Sequence, residues 1–434
     1  MTTTSVSTST DNKNISHDSD LNPQQRVPQR SLNWLQRISR QSFLAWLGKL
    51  EGGTVRCTEF QCRSHVSESD CSDLEADWSI DDARFFSYLG TGGSVGVAES
   101  YLQGHWNTSD LTTLLRILYR NLSQISTGKF LLADLAARFS RLRFRLNGNT
   151  RRGSRRHIAA HYDLSNDFFE LFLDPTMMYS AGWFDTPHTT LHEASIAKLE
   201  CICRKLNLQS TDHVMEIGTG WGGFSLHAAQ HFGCHLTTTT ISDAQLSMAQ
   251  DRINRAGLND RVELLNRDYR DLEGQYDKVV SIEMVEAVGE QYLDTYFRQC
   301  ARLLKPGGRL VIQAIVMPES RCASYRRSVD FIQQYIFPGG FLPSVSGIQE
   351  SVGRTSNLRM ESLQDCSEHY ARTLQAWRHQ FFEHIDNVRS LGFDERFIRM
   401  WEYYLCYCEA AFLEKAVRVV QIVWDKPQFP LIDP

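Results

Sequence analysis

A glycine-rich turn that directly follows a short apolar run constrains this chain more than any other feature. Residues 213–217 are largely apolar, Gly-Thr-Gly-Trp-Gly-Gly follows at 218–223, and a helical pattern comes next. Further strand-like segments alternate with helix-like ones and lie at 234–241, 261–266, 277–282 and 309–316. This alternation predicts a mostly parallel sheet with helices on both faces, which binds ligands at the carboxyl ends of its strands.

The spacing of the glycines distinguishes between two classes of cofactor. Glycines allow a ligand to approach the backbone closely. A dinucleotide site typically has G-x-G-x-x-G and an acid about 20 residues later, whereas Gly218, Gly220 and Gly222 have a shorter spacing. This shorter spacing favours S-adenosylmethionine over NAD. Asp268 and Tyr269, after the third strand-like segment, are placed to meet an adenine.

Composition excludes several other classes of protein. The 434 residues suggest two or three domains, and 42% hydrophobic with 22% charged residues are typical of a globular chain with a large core. The net charge of −5 argues against a nucleic-acid partner. No apolar run is long enough to predict a transmembrane helix. The eleven cysteines contain no C-x-x-C pair, so we expect reduced thiols in a cytoplasmic protein and no metal site.

The first third of the chain differs in character from the rest. Residues 1–30 are polar and show no hydrophobic period, which predicts a disordered tail. Residues 31–150 begin with an amphipathic helical pattern and continue with a strand-like segment at 54–66. A helix-like run at 81–89 ends at the glycine-rich stretch 90–96, for which we expect a tight turn. A phosphate-binding loop is the alternative there.

A local cationic run stands out against the acidic chain. Residues 138–156 contain eight arginines and no acid. The sequence leaves three interpretations open: a solvated linker helix, a docking strip for anionic lipid headgroups, or a nucleic-acid contact. Each cation near an anionic lipid surface contributes about 1 kcal/mol.

From about residue 150 onward, the sequence resembles the cyclopropane-fatty-acyl-phospholipid synthase and mycolic-acid methyltransferase family. The matching segments occur in the family's order and are HYDLSNDFFELFLDPTMMYSAGWF (161–184), VMEIGTGWGGFSLHAA (214–229), TTISDAQ (239–245), LLKPGG (303–308), FIQQYIFPGGFLPS (331–344), YARTLQAW (370–377) and YYLCYCEAAF (403–412). Residues 85–120 also resemble the N-terminal domain of the longer bacterial synthases.

The resemblance implies an α/β fold of the class I S-adenosylmethionine-dependent methyltransferase type. Such a fold has a Rossmann-like, mixed seven-stranded sheet with helices on both faces. We expect this domain to span 151–434 and to carry extra helices over an acyl pocket. Residues 31–150, with the basic linker, are expected to form a smaller N-terminal α+β domain that docks on lipid or makes a homodimer.

The resemblance also implies the residues that contact S-adenosylmethionine. Carried over position by position, these are Tyr179, Ser180, Gly218, Gly220, Gly222, Thr240, Gln245, Asp268 and Tyr269. Glu216, at the end of the strand before the glycine turn, is a further candidate.

The implied reaction is electrophilic methylation of a cis double bond in an unsaturated phospholipid acyl chain. A carbocation develops on the chain and a base removes a proton. Loss from the new methyl group closes a cyclopropane, which is the expected product. Loss elsewhere gives a methyl- or methylene-branched chain, which is the alternative. N-methylation of a small amine and non-catalytic lipid binding are more distant alternatives.

In the family the base is a bound bicarbonate. The matching positions here are Glu286, Tyr370 and the backbone of Ile315. Two positions depart from the family, because Gln313 replaces a histidine and Ala181 replaces a cysteine. Glutamine carries no charge, so the departures put bicarbonate binding in question and favour the branched product.

Two further residues have competing interpretations. Cys408 matches a cysteine regarded as catalytic in the family, although a pocket-lining role fits alkene methylation better. Glu283 lies three residues before Glu286. We expect it to be solvated or salt-bridged, and the alternative is that the two carboxyls lie close and create a protein base. The chain itself is expected to contact the inner face of the membrane peripherally.

Overall fold

The computed structural model describes residues 32–61, 63–67, 74–122 and 164–429. The predicted tail at 1–30 and the arginine run at 138–156 lie outside these ranges. Within them, no helix is both long enough and apolar enough to cross a membrane.

In the described residues up to 122, the N-terminal part consists of a small sheet and three helices. Its elements are α1 (Trp34–Leu47), β1 (Thr54–Glu59), β2 (Arg63–Ser67), β3 (Glu75–Ile80), α2 (Arg84–Leu102), β4 (Trp106–Asn107) and α3 (Leu111–Arg120). The strand order is β2-β1-β3-β4, with β1 and β3 parallel. Buried aromatic rings from α1, α2 and the sheet form its core, including Phe43, Trp78, Phe85 and Trp106.

Two predictions for this part were wrong in detail. The strand-like segment 54–66 is two antiparallel strands, β1 and β2, because Phe60 and Gln61 adopt positive φ and reverse the chain. The glycine run 90–96 does break the helical pattern, but only at Gly93, whose φ of +54° kinks α2 between two helical segments. A Cβ at Gly90 would lie 2.2 Å from the Ser39 hydroxyl, so glycine here lets α2 pack against α1.

The larger part contains the predicted α/β sheet. Its strands are β5 (His213–Ile217), β6 (His235–Thr240), β7 (Val262–Asn266), β8 (Tyr276–Ile282), β9 (Leu304–Val316), β10 (Arg359–Asp365) and β11 (Arg418–Asp425). The seven-stranded order is β10-β11-β9-β8-β5-β6-β7. Strands β5 to β9 pair in parallel with one another, whereas β11 is antiparallel to both of its neighbours, β9 and β10. This confirms the mixed sheet of a class I methyltransferase.

Helices cover both faces of this sheet and extend beyond it. They are α4 (Asn166–Glu170), α5 (Leu191–Leu206), α6 (Gly223–Phe232), α7 (Asp243–Ala256), α8 (Leu293–Leu303), α9 (Glu319–Tyr325), α10 (Val345–Thr355), α11 (Ser367–Glu383), α12 (Ile385–Ser390) and α13 (Glu395–Leu413). Asp394 caps α13 through the Phe397 amide, and Thr190 with Glu193 forms a capping box on α5. Such caps satisfy backbone donors that a helix leaves open at its start.

The N-terminal part is fastened to α13, which is one of the helices beyond the sheet. Tyr101 of α2 donates to Glu402 at 2.7 Å, and Arg116 and Arg120 of α3 form ion pairs with Glu414 at 2.7 Å. Thr112 donates to the buried Glu409. These contacts place α3 next to the end of α13. Helix α3 therefore lies beside the cavity that is described below.

Candidate active site

A cavity of about 2050 Å³ lies at the carboxyl ends of the central strands. At one end it reaches the glycine turn after β5 and the strand ends of β6 and β8. At the other end it passes between α13 and the N-terminal helices, where Trp46 and Leu115 line it. The cavity therefore connects the predicted cofactor turn with a long and largely apolar space.

The glycine turn presents bare backbone to this cavity. Gly218, Gly220 and Gly222 have φ of +106°, +52° and +85°, a region that favours glycine. A Cβ at Gly220 would meet no heavy atom within 4 Å, so that position is open. Gly222 does not line the cavity, and a Cβ there would lie 3.5 Å from Ala249 of the next helix. It precedes the first turn of α6, and the amides of a helix's first turn attract negative charge.

Glu216 lies beneath the turn and is held by hydroxyl groups. Its carboxylate accepts hydrogen bonds from Thr238, at 2.6 Å, and from Ser225. Burial raises the pKa of Glu216 to about 7, against the effect of these two hydroxyls. Glu216 lines the cavity, and its polar contacts join β5 to β6 and α6.

The remaining predicted cofactor residues line the same end of the cavity. Thr240 donates to Gln245 at 2.9 Å, which joins the end of β6 to α7. Asp268 follows β7 and forms an ion pair with Arg270 at 2.7 Å. The Tyr269 ring lies beside that guanidinium, 5.4 Å away. The structure thus brings together residues from three strand ends.

Tyr179 and Ser180 form the side of the cavity opposite the strand ends. The Tyr179 ring lies 5.0 Å from Trp377, and its hydroxyl is 2.8 Å from that of Tyr404. Ser180 accepts a hydrogen bond from Lys198 at 2.9 Å. Lys198 is 1% exposed, and burial lowers its pKa to about 8, while Glu283, Asp174 and Glu216 act in the opposite direction. Lys198 lies on α5, and the sequence of α5 gave no indication that this lysine would be buried.

The middle of the cavity is lined by aromatic rings. Phe337 and Tyr404 lie 6.2 Å apart with a T-shaped arrangement, and the Tyr370 and Phe412 rings stack at 4.5 Å. Their faces supply electron-rich surface that stabilises a nearby cation.

Glu283 and Glu286 lie between the glycine turn and these rings, and both line the cavity. The expectation of a solvated or salt-bridged Glu283 was wrong. Its carboxylate accepts from the Tyr370 hydroxyl at 2.7 Å, from Gln313 Nε2 at 2.7 Å and from the Ala181 amide at 3.0 Å.

Glu286 is held by fewer donors than Glu283. One oxygen accepts from the Ile315 amide, and the other is buried without a hydrogen-bond partner among the residues that the structure describes. Burial and the neighbouring Glu283 raise the pKa of Glu286. The two carboxyls therefore interact electrostatically, which is the alternative that the sequence left open. The two carboxyls are not brought together by lying on one face of a helix. Glu283 has φ of +49° and lies before the short helical turn Val285–Ala287.

Gln313 is held in one orientation by a second glutamine. Gln421 of β11 donates to Gln313 Oε1 at 2.8 Å, so that Gln313 Nε2 points to Glu283. Lys205 donates in turn to Gln421. Sequence reasoning missed Gln421, because β11 was not recognised as the strand beside β9.

Cys408 lines the cavity but is placed among apolar and aromatic groups. Burial raises the pKa of the Cys408 thiol far above its usual range. A protonated thiol is a weak nucleophile, so its surroundings favour the pocket-lining interpretation.

The chain is similar to known proteins over most of its length. The profile of the mycolic acid cyclopropane synthetase family matches residues 149–422. The chain is 41% identical over 341 residues to tuberculostearic acid methyltransferase UfaA1 of Mycobacterium tuberculosis, covering 77% of this chain and 79% of that protein. It is 35% identical over 355 residues to the cyclopropane-fatty-acyl-phospholipid synthase of Escherichia coli K12, covering 81% and 88%.

Solved structures agree with this relationship. The mycolic acid cyclopropane synthase CmaA1, complexed with SAH and CTAB, matches with a TM-score of 0.59 and 29% identity, covering 63% of this chain and 98% of that one. Coclaurine N-methyltransferase matches with a TM-score of 0.60 at 18% identity, covering 76% and 99%, which shows the shared fold alone.

Proposed function

This chain belongs to the mycolic acid cyclopropane synthetase family of S-adenosylmethionine-dependent lipid methyltransferases, and we propose that it methylates the cis double bond of an unsaturated phospholipid acyl chain. One observation carries this proposal. A single cavity joins the glycine turn to a long aromatic and apolar space, and two carboxyls lie where these parts meet.

The glycine-turn end of the cavity fits S-adenosylmethionine. The open backbone at Gly220 admits a ligand without a clash, and the first turn of α6 suits a carboxylate. Asp268, Tyr269, Tyr179 and Ser180 all line the cavity. In this proposal Asp268 and Tyr269 border the adenine, and Tyr179 and Ser180 contact the rest of the cofactor. When bound there, S-adenosylmethionine supplies an electrophilic methyl group.

The chain's own residues then act on the acyl chain. The apolar lining excludes water from the double bond, and the faces of Tyr404 and Phe337 stabilise the positive charge that develops on it. A carboxylate at the floor of this space removes a proton and completes the product. The small-amine alternative gains no support, because an amine substrate needs no apolar space of this length.

A methyl- or methylene-branched product is favoured over a cyclopropane. The 41% identical relative is named for tuberculostearic acid methylation, and the residues around the base differ from the family pattern at Gln313 and Ala181. Cyclopropane formation stays a second candidate, because the 35% identical relative is a cyclopropane synthase. Both products share the first step and differ only in which proton is lost.

We predict that cells expressing this chain and fed methyl-labelled methionine will accumulate labelled acyl chains in their phospholipids. Gas chromatography with mass spectrometry before and after catalytic hydrogenation measures the product. Uptake of hydrogen by the labelled chain identifies a branched alkene, whereas resistance to mild hydrogenation identifies a ring. Cells carrying the Gly220→Leu variant serve as the control. Absence of label in every lipid would contradict the proposal.

Helix α1 offers a surface through which the cavity can meet a membrane. Trp34 and Ile38 are 69% and 54% exposed, and they lie on the same helical face as Ser42 and Ala45, which line the cavity. The exposed apolar face is thus continuous with the acyl space. We propose that this face rests on the anionic inner leaflet, which the arginines at 138–156 also favour.

Replacing Trp34 and Ile38 together by serine is expected to weaken binding to vesicles of anionic phospholipid about tenfold or more, since burying such a side chain contributes ~1.5–3 kcal/mol. Sedimentation with vesicles at fixed salt measures the effect. Leu391→Ser, which alters an exposed side chain far along the sequence, serves as the control. Equal sedimentation of both variants and the unmodified chain would remove α1 from the docking surface.

A further inference from the structure

Glu283 occupies the centre of a donor set that is suited to a small anion. Three donors from three separate elements converge on its carboxylate, namely Tyr370 of α11, Gln313 of β9 and the Ala181 amide. Because these donors stabilise the charged form of a carboxyl group, the site is built to hold one negative charge.

A free bicarbonate does not fit this donor set. The Tyr370 hydroxyl and Gln313 Nε2 each direct their hydrogen bond to Glu283, so a further anion would have to displace that side chain. It would also lie beside the carboxylate of Glu283, and like charges at short range repel strongly. Lys198, the buried cation nearby, donates to Ser180. The residues at these positions therefore do not provide for bicarbonate.

We propose that the carboxylate of Glu283 is the resident base of this enzyme and takes the place that bicarbonate has in related enzymes. The inference rests on the proposed methylation of an acyl double bond. It assigns a catalytic role to a side chain that no family motif marks.

The distribution of donors decides which member of the carboxyl pair carries the charge. Within the described part of the chain, Glu283 has three donors, whereas Glu286 has the Ile315 amide and one oxygen without a partner. The other titratable groups that act on Glu283 are Lys198 of α5, Tyr370 of α11 and Tyr404 of α13. Burial raises the pKa of Glu283 as well, but its three donors and Lys198 act in the opposite direction. We therefore assign the negative charge of the pair to Glu283 and the proton to Glu286.

The proposed step is a proton transfer that conserves charge. After methylation the acyl chain carries a carbocation, and Glu283 Oε takes a proton from a carbon bonded to the cationic centre. The electron pair of that C–H bond forms a new C=C bond, which gives the branched alkene. If the proton comes instead from the new methyl group, the same electron pair forms the third bond of a cyclopropane. Glu283 becomes neutral and the lipid loses its charge.

Glu283→Gly tests this role by chemical rescue. Glycine suits the φ of +49° at this position, and it leaves Tyr370 and Gln313 facing an empty space. We expect turnover to fall by about 10²-fold or more, as for loss of a general base, and formate or bicarbonate to restore at least a tenth of it. Glu283→Gln fills the space and should not be rescued. Glu290→Gln, at an exposed carboxylate on the same loop, should keep full turnover.

Two measurements on the unmodified chain complete the test. Its turnover should not change between carbon-dioxide-depleted buffer and buffer with added bicarbonate. Carbon-13 NMR should show no binding of labelled bicarbonate to it, but binding to Glu283→Gly. The NMR result does not require turnover, so it tests the site even if the proposed reaction is wrong. Bicarbonate binding to the unmodified chain, or full turnover by Glu283→Gln, would overturn the inference.

Discussion

Replacing Phe168 by alanine is expected to lower the free energy of unfolding by about 3–5 kcal/mol, the usual cost of deleting a fully buried aromatic side chain. Phe168 is 0% exposed and belongs to the segment that resembles the family most clearly. Its ring centroid lies 4.9 Å from those of Phe393 and Trp401 and 6.2 Å from that of Phe381. It therefore joins α4 to α11 and α13, the helices that carry Tyr370 and Tyr404.

Urea titration followed by tryptophan fluorescence measures this effect. Phe382→Ala is the matched control, because Phe382 lies on α11 and is 38% exposed. Its loss should cost less than about 1 kcal/mol, since partly exposed side chains lose little contact area. Equal destabilisation by both variants would show that the ring of Phe168 does not join these helices.

The sequence predicted the central sheet well because its strands carry strong local signals. Strands β5 to β9 are apolar or β-branched and alternate with helical periods, which is the pattern of a buried parallel sheet. Strand β10 carries no such signal, because Arg359–Asp365 is polar and all its residues are exposed. Its position is fixed by pairing with β11 rather than by its own side chains.

The candidate site was predicted unevenly for a related reason. The glycine turn and the strand ends are local motifs, and the structure places all of the predicted cofactor residues except Gly222 along one cavity. The environment of Glu283 depends instead on Gln313, Tyr370 and Ala181, which are 30, 87 and 102 residues away in the chain. A local sequence pattern cannot predict contacts between residues that are so far apart in the chain. The sequence showed that Gln313 and Ala181 replace the family's His and Cys. It did not show that both positions donate hydrogen bonds to Glu283.

Placing a leucine at Gly220 is expected to abolish most binding of S-adenosylmethionine. The cavity is open above this glycine, so a leucine side chain would fill space that the proposed ligand needs. We expect affinity for S-adenosylhomocysteine to fall by about 10²-fold or more, which corresponds to ~2.7 kcal/mol. Isothermal titration calorimetry of the purified variant measures this directly.

Gly257→Leu separates the loss of space from the strain of the backbone. Gly257 ends α7 with φ of +65°, close to the +52° of Gly220, and a Cβ there also meets no heavy atom within 4 Å. Both leucines therefore impose a similar left-handed strain of about 1–2 kcal/mol, but only Gly220 lines the cavity. A large loss of binding in Gly220→Leu alone would place the ligand over the turn. Equal affinities in the two variants would mean that the cofactor lies elsewhere in the cavity.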